Sequence, residues 1–164
     1  MARIYETQVK VVGKILQVDD AKIRFKNFEG RGDKFNREGD RNFEWVIEHE
    51  DLAADLKEWG WNVKERETVD GDPYWTVKVK IKFTDFGPNV YMKVDDKPKV
   101  KLDEETIGML DECYISRIDM DLRPYDWEVS GKSGRTAYLD GALVTKISRS
   151  NRFSDDEQRY TDEG

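Results

Sequence analysis

Between Lys22 and Trp45 the chain reads KIRFKNFEGRGDKFNREGDRNFEW. Seven cations, Lys22, Arg24, Lys26, Arg31, Lys34, Arg37 and Arg41, alternate there with Phe25, Phe28, Phe35, Phe43 and Trp45. Four acids, Glu29, Asp33, Glu38 and Asp40, leave the stretch from Lys22 to Phe43 at +3 in a chain of net charge −7. Folding gives an acidic domain no reason to gather cations around aromatic rings. Unstacked nucleic acid does use that combination, because cations neutralise phosphates and flat side chains take the place of neighbouring bases. The competing reading is a solvated loop with a few core aromatics.

A second cationic feature lies on the clearest strand. Trp75, Val77, Val79, Ile81 and Phe83 share one face by period-two alternation, and Thr76, Lys78, Lys80 and Lys82 share the other. Same-face neighbours on a strand sit roughly 6.5–7 Å apart, close to the phosphate spacing of an extended single strand. An edge strand guarded by lysines against aggregation would look the same. The Gly30–Gly39 loop, GRGDKFNREG, suits a flap over a flexible polymer. It is no phosphate-binding P-loop, since no Gly-Lys-Ser/Thr follows a strand.

Enzymatic signals are poor. His49 is the single histidine and sits at a helix start, and no Ser-His-Asp or Cys-His set assembles around it. Asp119 and Asp121 share a strand face and could hold Mg²⁺ as nuclease carboxylates do. Arg117 and Arg123 flank them, which favours a salt-bridged surface row. One cysteine, Cys113, excludes an internal disulfide and a cysteine-cluster metal site, and it reads as a small buried hydrophobe. No cofactor is expected.

These groups need a frame. At 164 residues, 37% hydrophobic and 38% charged, the chain suits one compact domain with an aromatic-rich core. It has no apolar run long enough for a membrane span, and its start, MARIYETQVKVVG, lacks a signal-peptide h-region, so a cytoplasmic protein is expected. The alternation predicts strands at Thr7–Gln17, Lys22–Phe28, Phe43–Glu48, Asn62–Glu67, Trp75–Phe83, Asn89–Val94, Lys97–Leu102, Tyr114–Arg123 and Arg135–Ser148. Two short helices interrupt them. One is Glu50–Trp59, with Leu52, Leu56 and Trp59 on one face and Gly60 as its C′ residue; the other begins at an Asp103 N-cap, with Ile107 and Leu110 inward. Two helices cannot cover both faces of a parallel sheet. The expectation is therefore an all-β, OB-like antiparallel barrel over residues 1–152, with a β-sandwich as the alternative. Residues 153–164 read as a disordered acidic tail, five acids against Arg159.

The segments FKNFEGRGDKFNREGDRNF, DLKEWGWNVK, PYWTVKVKI, LDEETIGMLD and RPYDWEVSGKSGRTAYLDGALV resemble a set of small phage-encoded single-stranded-DNA-binding proteins of OB-fold type. The resemblance covers roughly residues 22–147. It implies a barrel that coats single strands in phage replication or recombination, in the host cytoplasm, with the Phe25–Phe43 loop and the Arg123–Lys132 segment as DNA contacts. The acidic tail resembles the protein-recruiting tails of single-strand-binding proteins, so replication or recombination proteins are further expected partners. It ends in Thr-Asp-Glu-Gly, without the terminal apolar residue typical of bacterial versions.

The combined expectation is a non-enzymatic single-stranded-DNA-binding protein. Arg24, Lys26, Arg31, Lys34, Arg37, Arg41, Lys78, Lys80, Lys82, Arg123 and Lys132 would bind DNA as cations. Phe28, Phe35, Phe43, Trp45 and Trp75 would supply the stacking rings, although alternation sets Trp75 opposite the lysine row. The rivals are a protein-interaction module, such as a phage inhibitor of a host factor, and a metal nuclease built on Asp119 and Asp121.

Overall fold

The computed structural model describes residues 8–146. The 153–164 segment and the expected strand ends at residues 7, 147 and 148 lie outside the described residues. Among the described residues, ten strands form one sheet: β1 (Gln8–Val12), β2 (Ile15–Asp19), β3 (Lys22–Asn27), β4 (Arg41–Ile47), β5 (Lys64–Glu67), β6 (Pro73–Ile81), β7 (Asn89–Val94), β8 (Val100–Leu102), β9 (Ile115–Val129) and β10 (Lys132–Lys146). Helix α1 (Glu50–Glu58) follows β4, and a 3-10 helix (Ile107–Glu112) precedes β9.

The strand order is β1-β2-β9-β10-β6-β4-β3, with β5 added to β6, β7 to β10 and β8 to β7. The sheet curls into an open, OB-like barrel around Trp45, Phe28, Phe43, Leu122, Val79 and Val144, all buried. Its two limbs meet along β3 and the start of β9 without a strand ladder. Ala21 N–H donates to the Ile118 carbonyl at 2.9 Å, and Lys26 Nζ to the carbonyls of Leu110 and Cys113 at 2.9 and 2.6 Å.

Helix α1 matches its sequence pattern. Glu50 and Asp51 favour its positive end, and Leu52, Ala53 and Leu56 are buried. Gly60, at φ +97°, ends it: Gly60 N–H donates to Lys57 O and Trp61 N–H to Leu56 O, a Schellman motif.

Five departures from the sequence expectation have a local cause. The barrel is mixed, because β10 runs parallel to β6 and to β7. The expected Thr7–Gln17 strand is the β1–β2 hairpin, turned at Gly13 with φ +63°. The second helix is 3-10 from Ile107; Asp103 forms a turn before it, its carboxylate accepting from Glu105 and Thr106 N–H at 3.0 Å. Strand β9 runs through Pro124 to Val129, because β2 pairs with β9 from Met120 to Leu122 and leaves the far edge beyond it unladdered. The β9–β10 turn is therefore Ser130-Gly131, both at positive φ, and Lys132 to Gly134 belong to β10.

Candidate nucleic-acid interface

The cations of the Lys22–Trp45 segment are largely engaged within the protein. Lys22 pairs with Glu48 at 2.8 Å, Arg24 with Glu44 at 2.8 Å, Arg31 with Asp111 at 3.3 Å and Arg41 with Glu104 at 3.5 Å. Arg24 also donates to the Tyr74 hydroxyl at 2.7 Å, and Lys26 is held by the two carbonyls named above. Lys34 and Arg37 carry no ion pair among the described residues. The rings divide in the same way. Phe28 and Phe43 are 0% exposed, their centroids 5.5 Å apart; Trp45 is 1% exposed and Trp75 6%. These four rings belong to the core and have no face to offer a base. Phe43, Trp45 and Ile47 alternate inward along β4, with Glu44 on the opposite face. Phe28 turns inward because a bulge between Arg24 and Asn27, with Phe25 at φ 55°, resets the alternation of β3.

Phe35 is different. It is 90% exposed at the tip of a turn closed by Asp33 and Asn36, and Asp33 Oδ1 accepts its N–H at 2.7 Å. The loop beneath it is braced rather than loose. Asn36 Nδ2 donates to the carbonyls of Arg31, Arg37 and Asp40, and Asn27 Oδ1 accepts from Gly30 and Arg31 N–H.

The other expected cations gather on the outer face of the sheet. Lys78 and Lys80 on β6, and Lys82 just past its end at Ile81, short of the expected Phe83, are exposed, and no carboxylate lies within ion-pair distance of them among the described residues. Lys80 is registered with Asn42 on β4 and Tyr138 on β10, and Tyr138 in turn with Arg123 on β9. This row crosses four strands and sets a ring between two cations. Arg123 Cζ lies 5.3 Å from the Tyr138 ring centroid and its Nε 3.6 Å from Asp140 Oδ1. Tyr125 meets Tyr138 edge-on at 6.1 Å, and Trp127, 38% exposed, follows on the same face of β9. Lys132 is exposed beside Val129 at the hairpin end.

Tyr125 and Trp127 fall inside the expected Arg123–Lys132 contact segment without being singled out as stacking rings, and Tyr138 lies outside it. Their signal is the alternation of Arg123, Tyr125, Trp127 and Val129, which continues past Arg123, where the expected strand ends. The hairpin arm carrying them is anchored at its base. Arg135 donates twice to Asp126, at 2.7 and 3.1 Å, and once to the Trp59 carbonyl at 2.8 Å. The hydrogen bond from Arg135 holds the Asp126 carboxyl below the usual carboxylate range.

The carboxylates suggested for metal work are placed otherwise. Asp119 Oδ1 accepts from Arg117 Nε at 2.9 Å and from the Asp20 N–H at 2.8 Å. Asp121 has its carboxyl pushed up by burial and then by the charges of Asp140 and Asp19. Among the described residues no three His, Cys, Asp or Glu side chains form a metal-binding group, and no helix is long and apolar enough to cross a membrane.

An OB-like barrel with a cationic, aromatic outer sheet face is what the fold and site define. The chain matches, over residues 6–162, the family model described as "Putative phage ssDNA-binding domain", and it belongs to that family. Its fold is similar to the single-stranded DNA-binding protein from bacteriophage Enc34, with a TM-score of 0.54 at 12% identity, covering 88% of this chain and 87% of that one. It is also similar to the same phage protein in complex with ssDNA, with a TM-score of 0.52 at 12% identity, covering 89% of this chain and 93% of that one. No curated protein matches the chain.

Proposed function

We propose that this protein binds single-stranded DNA during phage replication and recombination, and that the outer face of β6, β10 and β9 is where it does so. Membership of the phage ssDNA-binding family supports the activity. The row Lys80–Tyr138–Arg123 carries the assignment of the face, because it alternates cation, ring and cation across hydrogen-bonded strands. Phosphates would meet Lys78, Lys80, Lys82 and Arg123, and bases would stack on Tyr138, Tyr125 and Trp127. Phe35, Lys34 and Arg37 would contact the strand from the neighbouring loop. The protein acts by binding, without catalysing a reaction, in the cytoplasm of the infected host. The acidic segment 153–164 would recruit replication or recombination proteins, a role supported by its charge and by its resemblance to the protein-recruiting tails of single-strand-binding proteins.

A titration of fluorescent oligo-dT against duplex of equal length tests this reading. Single strand should bind more tightly, because duplex bases are already stacked and cannot reach the rings. Equal affinity for both, or none for oligo-dT, would refute it.

A further inference from the structure

The β7–β8 hairpin carries a second group of cations around a ring. Tyr91 and Lys93 on β7 are registered with Leu143 and Thr145 of β10, and Lys101 on β8 with Tyr91. Val90 and Leu102 point to the core, so Tyr91, Lys93 and Lys101 share the outer face with Tyr138 and Lys80. Lys99 Nζ lies 4.4 Å from the Tyr91 ring centroid. Among the described residues no carboxylate pairs with Lys93, Lys99 or Lys101. The arginines of this face, Arg117 and Arg123, do have such partners.

The two groups are collinear. Strands β6 and β7 run in the same direction along the same side of β10, with Lys80 opposite Tyr138 and Asn89 opposite Gly141. They are one line interrupted by residues 82–88. That excursion is a tight turn, Thr84 N–H donating to Gly87 O at 2.7 Å, and it lifts Phe86 to 93% exposure. The distance along β10 from Tyr138 to Leu143 is roughly 16 Å, which two or three extended nucleotides span. The direct route over β9 and β10 passes the carboxylates of Asp121 and Asp140, which repel phosphate. The route over Lys82 and Phe86 avoids Asp121, and Asp140, which lines the same hollow as Phe86, is held by Arg123 at 3.6 Å.

We propose that Tyr91, Lys93, Lys99 and Lys101 form a second single-strand contact, continuing the track of Lys78, Lys80 and Lys82 past Phe86. This rests on the reading that the β6–β10–β9 face binds single-stranded DNA. Its consequence is a site that a short oligonucleotide fills in part and a longer one fills completely.

The test uses the full chain and two oligo-dT lengths, about five and about fifteen nucleotides, within the 4–16 nucleotide range of single barrels. The probes are wild type, a Lys93→Ala/Lys99→Ala/Lys101→Ala variant and the charge reversal Lys99→Glu, each checked by melting temperature. The triple variant should bind the short oligo as wild type does. It should bind the long one on the order of tenfold more weakly, with a log–log salt slope shallower by about 2, roughly 0.7 for each of three lost phosphate contacts. Lys99→Glu should weaken the long oligo selectively. Unchanged binding of both lengths overturns the proposal, and so does equal loss of both, which would mark a general field effect. A variant that binds the long oligo normally but loses an acidic peptide such as poly-Glu would assign the patch to a protein partner and also overturn it. If wild type binds neither oligo, the single-strand reading itself falls with it.

Discussion

The indole of Trp127 rests on the backbone of Gly134, its registered partner across the hairpin arm: a β-carbon at position 134 would come within 2.6 Å of Trp127 Cζ2. Glycine there gives the ring a flat seat on the outer face. Trp127→Ala should therefore cost about 1–3 kcal/mol of oligo-dT affinity with little change in melting temperature. Gly134→Ala should reproduce part of that loss by displacing the ring. Normal affinity in both variants would remove Trp127 from the interface.

The core aromatics should behave in the opposite way. Phe43→Ala and Trp45→Ala each delete a fully buried side chain and should cost about 3–5 kcal/mol of stability in urea denaturation. The affinity of the remaining folded molecules for oligo-dT should stay near wild type. Reduced affinity with stability intact would return these rings to the binding surface.

That contrast shows what the sequence made legible. The lysine row of β6 could be read from alternation alone, because Val77 to Ile81 keep strict period two, buried and exposed in turn. Helix α1 and its glycine stop could be read as well. The rings could not be sorted by composition: Phe28, Phe43 and Trp45 look like Phe35 in a sequence, and the difference lies in the bulge at Phe25 and the pairing of β4. Ion pairing was also hidden, since Glu104 and Asp111, which engage Arg41 and Arg31, come some 60 to 80 residues later. The parallel pairing of β10 with β7 depends on the excursion at 82–88, which returns the chain in its original direction. Local turn signals do not encode that.

The acidic pair beside the site gives a pH dependence with a defined sign. Burial, then the charges of Asp140 and Asp19, raise the Asp121 pKa, so the folded chain holds this proton to higher pH than the unfolded chain. Between the ordinary value and the raised one the folded state binds more protons. Stability from this group is gained as pH falls through the raised value and lost as pH rises. Asp121→Asn should then melt above wild type at neutral pH, with the difference shrinking as the pH approaches the ordinary carboxylate range. A difference that stays constant or widens on acidification would contradict this.

The central claim is that unpaired cations on the outer sheet face bind the phosphates of a single strand. The most direct measurement is the salt dependence of oligo-dT affinity for wild type and for a Lys78→Ala/Lys80→Ala/Lys82→Ala variant. Wild type should weaken with salt, and the variant's log–log slope should be shallower by about 2, roughly 0.7 per phosphate contact removed, with its melting temperature unchanged. A variant with the wild-type slope and affinity would contradict the account.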